Sequence, residues 1–559
     1  MPKSIDTELQ QKYRSTVLAI FGTNGKTPGF FISPSEDFVT DIATSFLLKD
    51  SAVLLTGSPG VGKTTILRVL AYQLTGDPDS IAIVNCTQDT RAEDFVYEVA
   101  IQTRESNSDG KVTTYEFDPL PRSLLTKTFA LVNEVNRLRP TAMNALLSVL
   151  AERSIVVRGK ELRRATGIIM MDMNPHVATP LEWAFIDRVR SNIHVPALLD
   201  LGDQFRLLRT KYGAGKHVED LVDYAMKMPA KMCADELGRV WDDVDRVSID
   251  ESSLASLVLY TNVFNSCKYD LSTKWTSFEL PCQNCEYKES CVTTQLEHPV
   301  FTRSLDHLVK MLKAEAYFAG RDHVELSEDI FPALRRVMLH RLQVKPEFAA
   351  RYVDAQAWYD AEVEQRILSL QEKWKQAKET FDTINKTLTE KKDAEAAEAF
   401  NKFRKAAKDI VSLKIVEMLE PTLEAVTEKR FKQLYAKALA MEKTGYAKRD
   451  FDSEEFNCLD RTLPPKLASR VQEIREKLLA RLQGVTEVSA SQYGDFVAAI
   501  SAAEPSASQM ANITYNQRYS LDDGTSIEVK HERERYIVQF EAATSAVADA
   551  IRNFTLKAG

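Results

Sequence analysis

Eight consecutive residues near the start of the chain have the types and spacing of a phosphate-binding loop. They fit the pattern G-x-x-x-x-G-K-[ST], follow the apolar run 51–56 and open a stretch with helical spacing. The glycines let successive backbone N–H groups turn toward phosphate oxygens, and the positive end of a helix favours an anion there. Lys63 would neutralise the β- and γ-phosphates, and the hydroxyl of Thr64 would bind Mg²⁺. The predicted nucleotide-binding residues are Gly57, Ser58, Pro59, Gly60, Val61, Gly62, Lys63, Thr64 and Thr65.

Two polar residues, Asn133 and Glu134, end an apolar run at 128–132. A sheet that carries a phosphate-binding loop needs a metal-organising residue and a water-activating carboxylate at this place. Asn133 stands where aspartate is usual, so it can hydrogen-bond a magnesium-bound water but brings no charge. Glu134 is the predicted general base. The alternative is a strand end with two solvated polar side chains.

These residues require a sheet whose strands end at one edge. Apolar runs at 51–56, 81–85, 128–132 and 168–173 precede polar turns and helical patterns, as in a parallel sheet with crossover helices. The sequence therefore predicts one α/β domain from about residue 15 to 200. Alternating residues around an Asp-Gly pair at 103–117 predict an inserted β-hairpin.

Length and charge limit the remaining possibilities. The chain has 559 residues, too many for one hydrophobic core, and predicts three or four domains. Its 72 lysines and arginines against 80 acidic residues give a net charge of −8, which disfavours a global DNA-binding surface but leaves a local basic patch open. Neither a membrane-spanning run nor a signal peptide is evident, so we expect a cytoplasmic protein with no membrane contact.

A resemblance becomes specific around the second motif. Residues 114–153 resemble the MoxR branch of the AAA+ ATPases, in which a hairpin leads through a turn to the Walker B strand and an asparagine-arginine pair, here Asn136-Arg137. The run 171–175 is similar to the sensor 1 strand of that family, and 180–188 is similar to its segment ending in aspartate-arginine.

The likeness resumes at 301–305 and 320–330, which are similar to the lid helix that carries sensor 2 and to the following turn. The resemblance implies an α/β P-loop AAA+ core, a parallel sheet with flanking helices, followed by a helical lid. It covers residues 1 to 345 apart from 250–298.

The resemblance also implies roles for three further residues. Asn174 would orient the attacking water, Arg188 would enter the neighbouring subunit's site as an arginine finger, and Arg303 would contact the γ-phosphate from the lid. Hydrolysis would then require a ring, expected to be a homo-hexamer that uses ATP and Mg²⁺. For each arginine the alternative is an ion pair with a carboxylate, and Arg190 is an alternative finger.

A cysteine cluster has the spacing C-x14-C-x2-C-x5-C. Four thiolates would complete a tetrahedral structural zinc site with no open position for chemistry. The alternatives are an iron-sulfur cluster and unrelated free thiols. The predicted zinc ligands are Cys267, Cys282, Cys285 and Cys291.

Four domains are predicted along the chain. They are an AAA+ α/β nucleotide-binding domain at 1–198, a helical lid at 199–345 with a Cys-rich insertion at about 265–298, a long helical arm at 346–460, and a C-terminal helical region at 461–559 with a small β-hairpin element. The hairpin is expected at 513–530, where alternating residues flank another Asp-Gly pair.

Three functions remain open at this point. The resemblance implies a ring-forming ATPase that remodels or matures a protein client, with a von Willebrand factor A-domain protein as partner. The alternatives are a nucleic-acid-linked motor of a defence or mobile-element system and a nucleotide-gated scaffold in which Asn133 has weakened hydrolysis.

Overall fold

The computed structural model divides the chain into two compact units, Met1–Glu372 and Lys373–Gly559. Each unit contains a hydrophobic core of its own. The structure describes residues 5–21, 36–94, 97–106, 110–119, 123–157, 159–174, 183–197, 201–212, 230–265, 267, 285–286, 288–300, 302–457, 462–513 and 516–558. Among these, no helix has the length and apolar content needed to cross a bilayer.

Apolar runs form the central sheet of the first unit. The strands of this unit are β1 (Ala52–Thr56), β2 (Ile81–Asn85), β3 (Tyr97–Ser106), β4 (Gly110–Pro119), β5 (Phe129–Asn133), β6 (Ser154–Val157), β7 (Lys160–Arg163), β8 (Ile168–Met173) and β9 (Ser191–His194). A five-stranded sheet has the order β2-β5-β8-β1-β9, and all its neighbouring strands run parallel. β1, β5 and β8 are almost wholly buried, as central parallel strands are when helices cover both faces. The predicted α/β core is confirmed, while β9 was not predicted.

Helices alternate with the strands of the first unit as far as β9, and the described elements after β9 in this unit are helices. In the α/β part they are Thr7–Phe21, Glu36–Phe46, Lys63–Thr75, Pro140–Glu152, Trp183–Ile186 and Leu201–Tyr212. The following helices are Ala234–Arg246, Glu251–Thr261, Val292–Gln295, Thr302–Phe318, Leu326–Met338, Pro346–Ala349 and Ala355–Trp358, then a π-helix, Tyr359–Glu364, and the helix Gln365–Thr389. The described residues between 234 and 389 are thus mainly helical, as their periodicity predicts.

Two β-hairpins of the first unit lie outside its five-stranded sheet. β3 and β4 pair antiparallel from Tyr97–Pro119 to Ser106–Gly110, so this hairpin is longer than the predicted 103–117. β6 and β7 form a second antiparallel pair that the sequence did not indicate.

The second unit combines helices with a sheet larger than the predicted hairpin. Its helices are Asp393–Ala406, Ile410–Thr444, Lys448–Phe451, Glu454–Asn457, Pro465–Ala480, Tyr493–Ser501 and Ser545–Ala558. Its strands are β10 (Gln483–Ser489), β11 (Gln517–Ser520), β12 (Ser526–Glu532) and β13 (Arg535–Glu541). β11 and β12 pair around the Asp-Gly turn, but they belong to a four-stranded antiparallel sheet in the order β10-β13-β12-β11. The region is mainly helical, as predicted.

Candidate functional site

The loop predicted to bind phosphate joins β1 to the helix Lys63–Thr75. Gly60 and Gly62 adopt φ angles of 79° and 89°, in the left-handed region that other residues rarely enter. Among the described residues beyond the adjacent ones, no atom lies within 4 Å of the position that a Cβ would take on either glycine. A Cβ on Gly57, by contrast, would stand 2.5 Å from the carbonyl oxygen of Val195. One side of the loop is packed and the glycine-lined side is open, which fits a phosphate group.

The side chain of Lys63 is held against this loop. Its Nζ donates hydrogen bonds to the carbonyl oxygens of Gly57 at 2.9 Å and Ser58 at 3.1 Å. The residue is 9% exposed. Because both acceptors are neutral, these bonds position the ammonium without cancelling its charge. Lys63 is therefore placed to attract an anion into the loop.

Three side chains from different elements meet beside the loop. The hydroxyl oxygen of Thr64 lies 3.5 Å from Oδ1 of Asn133 and 3.4 Å from Oδ2 of Asp172. They meet because β8 lies between β5 and β1, and the carboxyl ends of parallel strands share one edge. The hydroxyl, amide and carboxylate oxygens are ligand types that Mg²⁺ prefers, so the residues present fit this ion.

Asp172 is a residue of this site that was not predicted from the sequence. It lies in the apolar strand β8 (IIMMDM) and is 5% exposed. Burial raises the pKa of its carboxyl, while a hydrogen bond from the backbone of Glu134 and the charge of Lys63 act in the opposite direction. An aspartate in an otherwise apolar buried strand is itself the signal that could have identified it.

Glu134 follows β5 in a strained backbone conformation. Its φ and ψ are 57° and 47°, which is uncommon for a residue with a side chain. Its amide N–H donates to Oδ1 of Asp172 at 2.6 Å, and its carboxylate pairs with Arg137 at 3.0 Å. The Glu134 side chain is 45% exposed, so this predicted base is accessible to solvent. Such strain is typical of functional positions.

The other two predicted polar residues lie at the same edge. Asn133 donates from Nδ2 to Oδ1 of Asn85 at 2.7 Å, and Asn85 is the last residue of β2. Asn174 directly follows β8. Asn85 was not predicted, because its contact with Asn133 depends on β2 lying beside β5.

The buried thiol of Cys86 lies near the negative charges at the carboxyl edge of the sheet. Burial raises the pKa of Cys86 to about 12, and the charges of Asp172 and Glu134 contribute to the increase. Cys86 therefore stays protonated at neutral pH. The same negative charges favour a divalent cation at Thr64.

Arg188 and Arg303 lie at the opposite edge of the sheet. Arg303 pairs with Asp187 of its own chain, and Arg188 donates to the carbonyl oxygen of Ala184 at 2.6 Å. The backbone N–H of Arg190 donates to the carbonyl oxygen of Ala52, which is the first residue of β1. The phosphate-binding loop follows Thr56, the last residue of that strand. Four residue steps at about 3.3 Å separate the ends of β1 by about 13 Å. Arg188 and Arg303 therefore lie away from the loop of their own chain, and Arg303 makes the ion pair with a carboxylate that is the alternative to its predicted γ-phosphate contact.

The two arginines line a basic cavity of about 470 Å³. Its charged residues are Lys49, Asp50, Arg153, Arg188, Arg190, Asp245, Arg303, Asp306, Lys310 and Lys313, which sum to a charge of 7 − 3 = +4. Arg190, the alternative finger, is 8% exposed, and burial lowers its pKa to about 10. Arg188 is less buried, so of the two it is better placed to reach a neighbouring molecule.

The segment that carries Arg188 is bound to the helical region. Nη2 of Arg341 donates to the carbonyl oxygens of Asp187 and Val189, and Nε2 of His340 contacts Val189 O at 3.1 Å. Both residues follow the helix Leu326–Met338. Arg341 is 2% exposed, so this contact between the helical region and the 187–189 segment is protected from water.

The cysteine cluster lies only partly within the described residues. Cys267 and Cys285 are half-buried and Cys291 is buried, whereas Cys282 lies outside the described residues. In the part of the chain that the structure describes, no group of three or more His, Cys, Asp or Glu residues is arranged to hold a metal ion. The zinc site therefore stays a prediction.

The parallel sheet, the phosphate-binding loop after β1 and the polar ends of β5 and β8 together define a P-loop nucleoside triphosphatase. Residues 52–189 match the family described as AAA domain (dynein-related subfamily). The matched region contains the loop, Glu134, Asp172 and Arg188.

Similar proteins narrow this class. The protein MoxR of Paracoccus denitrificans is 26% identical over 308 residues, which is 54% of this chain and 81% of that protein. The protein MoxR of Methylorubrum extorquens is 30% identical over 139 residues, 25% of this chain and 38% of that protein, which is less than half its length. A solved structure from Cytophaga hutchinsonii has a TM-score of 0.47 and 18% identity, covering 64% of this chain and 96% of its own. The chain therefore contains an AAA domain at residues 52–189 and is similar to MoxR-type AAA+ ATPases.

Proposed function

We propose that this chain works as a ring-forming ATPase in which arginines of one subunit complete the nucleotide site of the next. The observation that carries the proposal is the separation of the two halves of the site. The phosphate-binding loop with Lys63 lies at the carboxyl edge of the sheet, as does Glu134, which follows β5. The cavity lined by Arg188 and Arg303 lies at the amino edge. A ring, expected to be a homo-hexamer, would bring the two edges of adjacent subunits together.

Within each subunit the roles follow from position. The loop amides and Lys63 would hold the phosphates, and Thr64 would be the protein ligand of Mg²⁺. Bound Mg²⁺ supplies positive charge to the phosphate oxygens. Glu134 would accept the proton of the attacking water, and Asn174 would orient that water.

The supply of arginine from a neighbour gives hydrolysis a mechanical consequence. Arg341 and His340 connect the segment of Arg188 to the lid, so a shift of the lid would move the arginine finger. We propose that this movement remodels or matures a protein client, presented by a von Willebrand factor A-domain partner. The family resemblance supports the client and the partner.

The second candidate function is a nucleotide-gated scaffold, which Asn133 favours because it brings no charge to the metal position. Replacing Glu134 by glutamine separates the two functions. In the hydrolase, this change should keep ATP binding and lower steady-state hydrolysis by about 10²- to 10⁴-fold, because the amide cannot accept the proton. Phosphate release and equilibrium ATP binding measure the two properties.

An equal, background-level rate in the unmodified protein and in Glu134→Gln would support the scaffold. Glu161→Gln is a matched control, because Glu161 is an exposed carboxylate that also pairs with an arginine, Arg163, on the β6–β7 hairpin. This control should hydrolyse ATP at the unmodified rate.

We also propose that the four clustered cysteines bind a structural zinc ion. Elemental analysis should find about one zinc ion per chain in a colourless protein, since four thiolates satisfy tetrahedral zinc. Cys285→Ser should lose the metal, whereas Cys233→Ser, at an exposed cysteine outside the cluster, should keep it. A brown protein that contains iron would show that the cysteines hold an iron-sulfur cluster and not zinc.

A further inference from the structure

We propose that Asp172 supplies the carboxylate that the Walker B strand lacks, and that it positions Thr64 for Mg²⁺ from the neighbouring strand. This inference rests on the proposed function, because it concerns the same nucleotide site. Asp172 is a positioning residue, since it acts through Thr64.

The strand order allows a carboxylate on β8 to take the place of one on β5. β8 lies between β5, which ends in Asn133, and β1, which leads into the loop. Asp172 is paired in register with Leu55 of β1, one residue before the end of that strand. A carboxylate at this register position therefore lies close to the start of the loop and on the strand next to Asn133, which occupies the usual Walker B position.

Asn133 of β5 and Asp172 of β8 each place an oxygen atom near the hydroxyl group of Thr64. Asn133 offers Thr64 an amide oxygen at 3.5 Å, and its NH₂ group is already donated to Asn85. Asp172 offers a carboxylate oxygen at 3.4 Å. By accepting the hydroxyl hydrogen of Thr64, Asp172 leaves the lone pairs of that oxygen free for a cation. Its negative charge replaces the one that Asn133 does not bring.

The burial of Asp172 supports a functional charge. Placing a carboxylate at 5% exposure in an apolar strand costs free energy unless its oxygens have partners. Both oxygens have one, the N–H of Glu134 at 2.6 Å and the hydroxyl of Thr64 at 3.4 Å. The competing interpretation is purely structural, in which Asp172 serves only to fix the left-handed backbone of Glu134. The two interpretations differ in what Mg²⁺ should do.

The experiment measures the affinity of a fluorescent ADP with Mg²⁺ and with EDTA, and Mn²⁺ binding by electron paramagnetic resonance. Asp172→Asn should keep the affinity in EDTA, lose the gain that Mg²⁺ produces, and bind Mn²⁺ about 10- to 100-fold more weakly. The double variant Asn133→Asp with Asp172→Asn returns the charge to β5 and should restore the metal dependence. Asp89→Asn, which removes an exposed carboxylate paired with Arg139, should behave as the unmodified chain.

The outcomes separate this inference from the function on which it rests. If the unmodified chain binds no nucleotide, the proposed function fails. If nucleotide binding in the unmodified chain gains from Mg²⁺ and Asp172→Asn keeps that gain, only the role of Asp172 is refuted. An equal loss of affinity with and without Mg²⁺, which Asn133→Asp does not rescue, would establish the structural interpretation instead. Thermal melting of each variant shows whether the fold is intact, and the double variant supplies the test if the single one unfolds.

Discussion

Replacing Arg188 by alanine is expected to leave nucleotide binding intact and to lower ATP hydrolysis by about 10³- to 10⁵-fold, the value of an arginine supplied in trans to phosphoryl transfer. The reason is geometric. Arg188 lines the basic cavity at the amino edge of the sheet, so its guanidinium can meet developing phosphate charge only in an adjacent subunit. Steady-state phosphate release and equilibrium binding of ATP measure the two halves of this expectation.

Mixing two inactive variants tests the same prediction more sharply. An Arg188→Ala subunit keeps Glu134 beside its loop, and a Glu134→Gln subunit keeps Arg188 on its other face. Interfaces that combine the two intact residues should recover part of the hydrolysis in mixed rings. Arg239→Ala, at an exposed arginine of the helix Ala234–Arg246, should be unaffected and serves as the control.

Assembled mixed rings without any recovery would argue against Arg188 as the trans-acting group. A chain that stays monomeric with nucleotide and Mg²⁺ present, yet hydrolyses ATP at an unchanged rate after Arg188→Ala, would remove the basis of the ring proposal. Arg190→Ala then tests the alternative finger.

Replacing Lys63 by alanine should weaken ATP binding by about 100-fold or more. The ammonium is held in the loop by two carbonyl oxygens, and charge-assisted hydrogen bonds to phosphate contribute about 1.5 to 3 kcal/mol each. Two such bonds account for the expected loss. Isothermal titration with ATP and Mg²⁺ gives the affinity of each variant.

Lys12→Ala is the matched control for this change, because Lys12 pairs with Glu236 and is not part of the loop. It should bind ATP as the unmodified chain does. Micromolar affinity retained in a folded Lys63→Ala protein would show that the loop does not bind phosphate as proposed.

The properties that the sequence predicts well are those set by neighbouring residues. The phosphate-binding loop depends on glycines that permit left-handed backbone at Gly60 and Gly62, and those residues lie within one eight-residue pattern. The central strands are continuous apolar runs, since both of their faces are covered. Glu134 was found because it directly follows such a run.

Elements whose stability comes from distant partners were missed or underestimated. β9 has four residues, and its apolar content is too low to mark a strand without β1 beside it. β10 and β13 pair with each other although 45 residues lie between Ser489 and Arg535, and they extend the predicted hairpin to a four-stranded sheet. Pairing of this kind depends on register between strands, which local periodicity does not report.

The sequence by itself determined which chemical groups this protein has: a glycine loop with a lysine, a carboxylate after a buried strand, and arginines near residue 190. Only the tertiary structure decided which of these groups meet. The strand order places Asp172 beside Thr64 and Asn133, and the parallel direction of β1 and β9 places Arg188 and Lys63 at opposite edges. The physical reason is that each parallel strand has its two ends at different edges of the sheet, so Arg188, which precedes β9, and Lys63, which follows β1, lie at different edges of the same subunit.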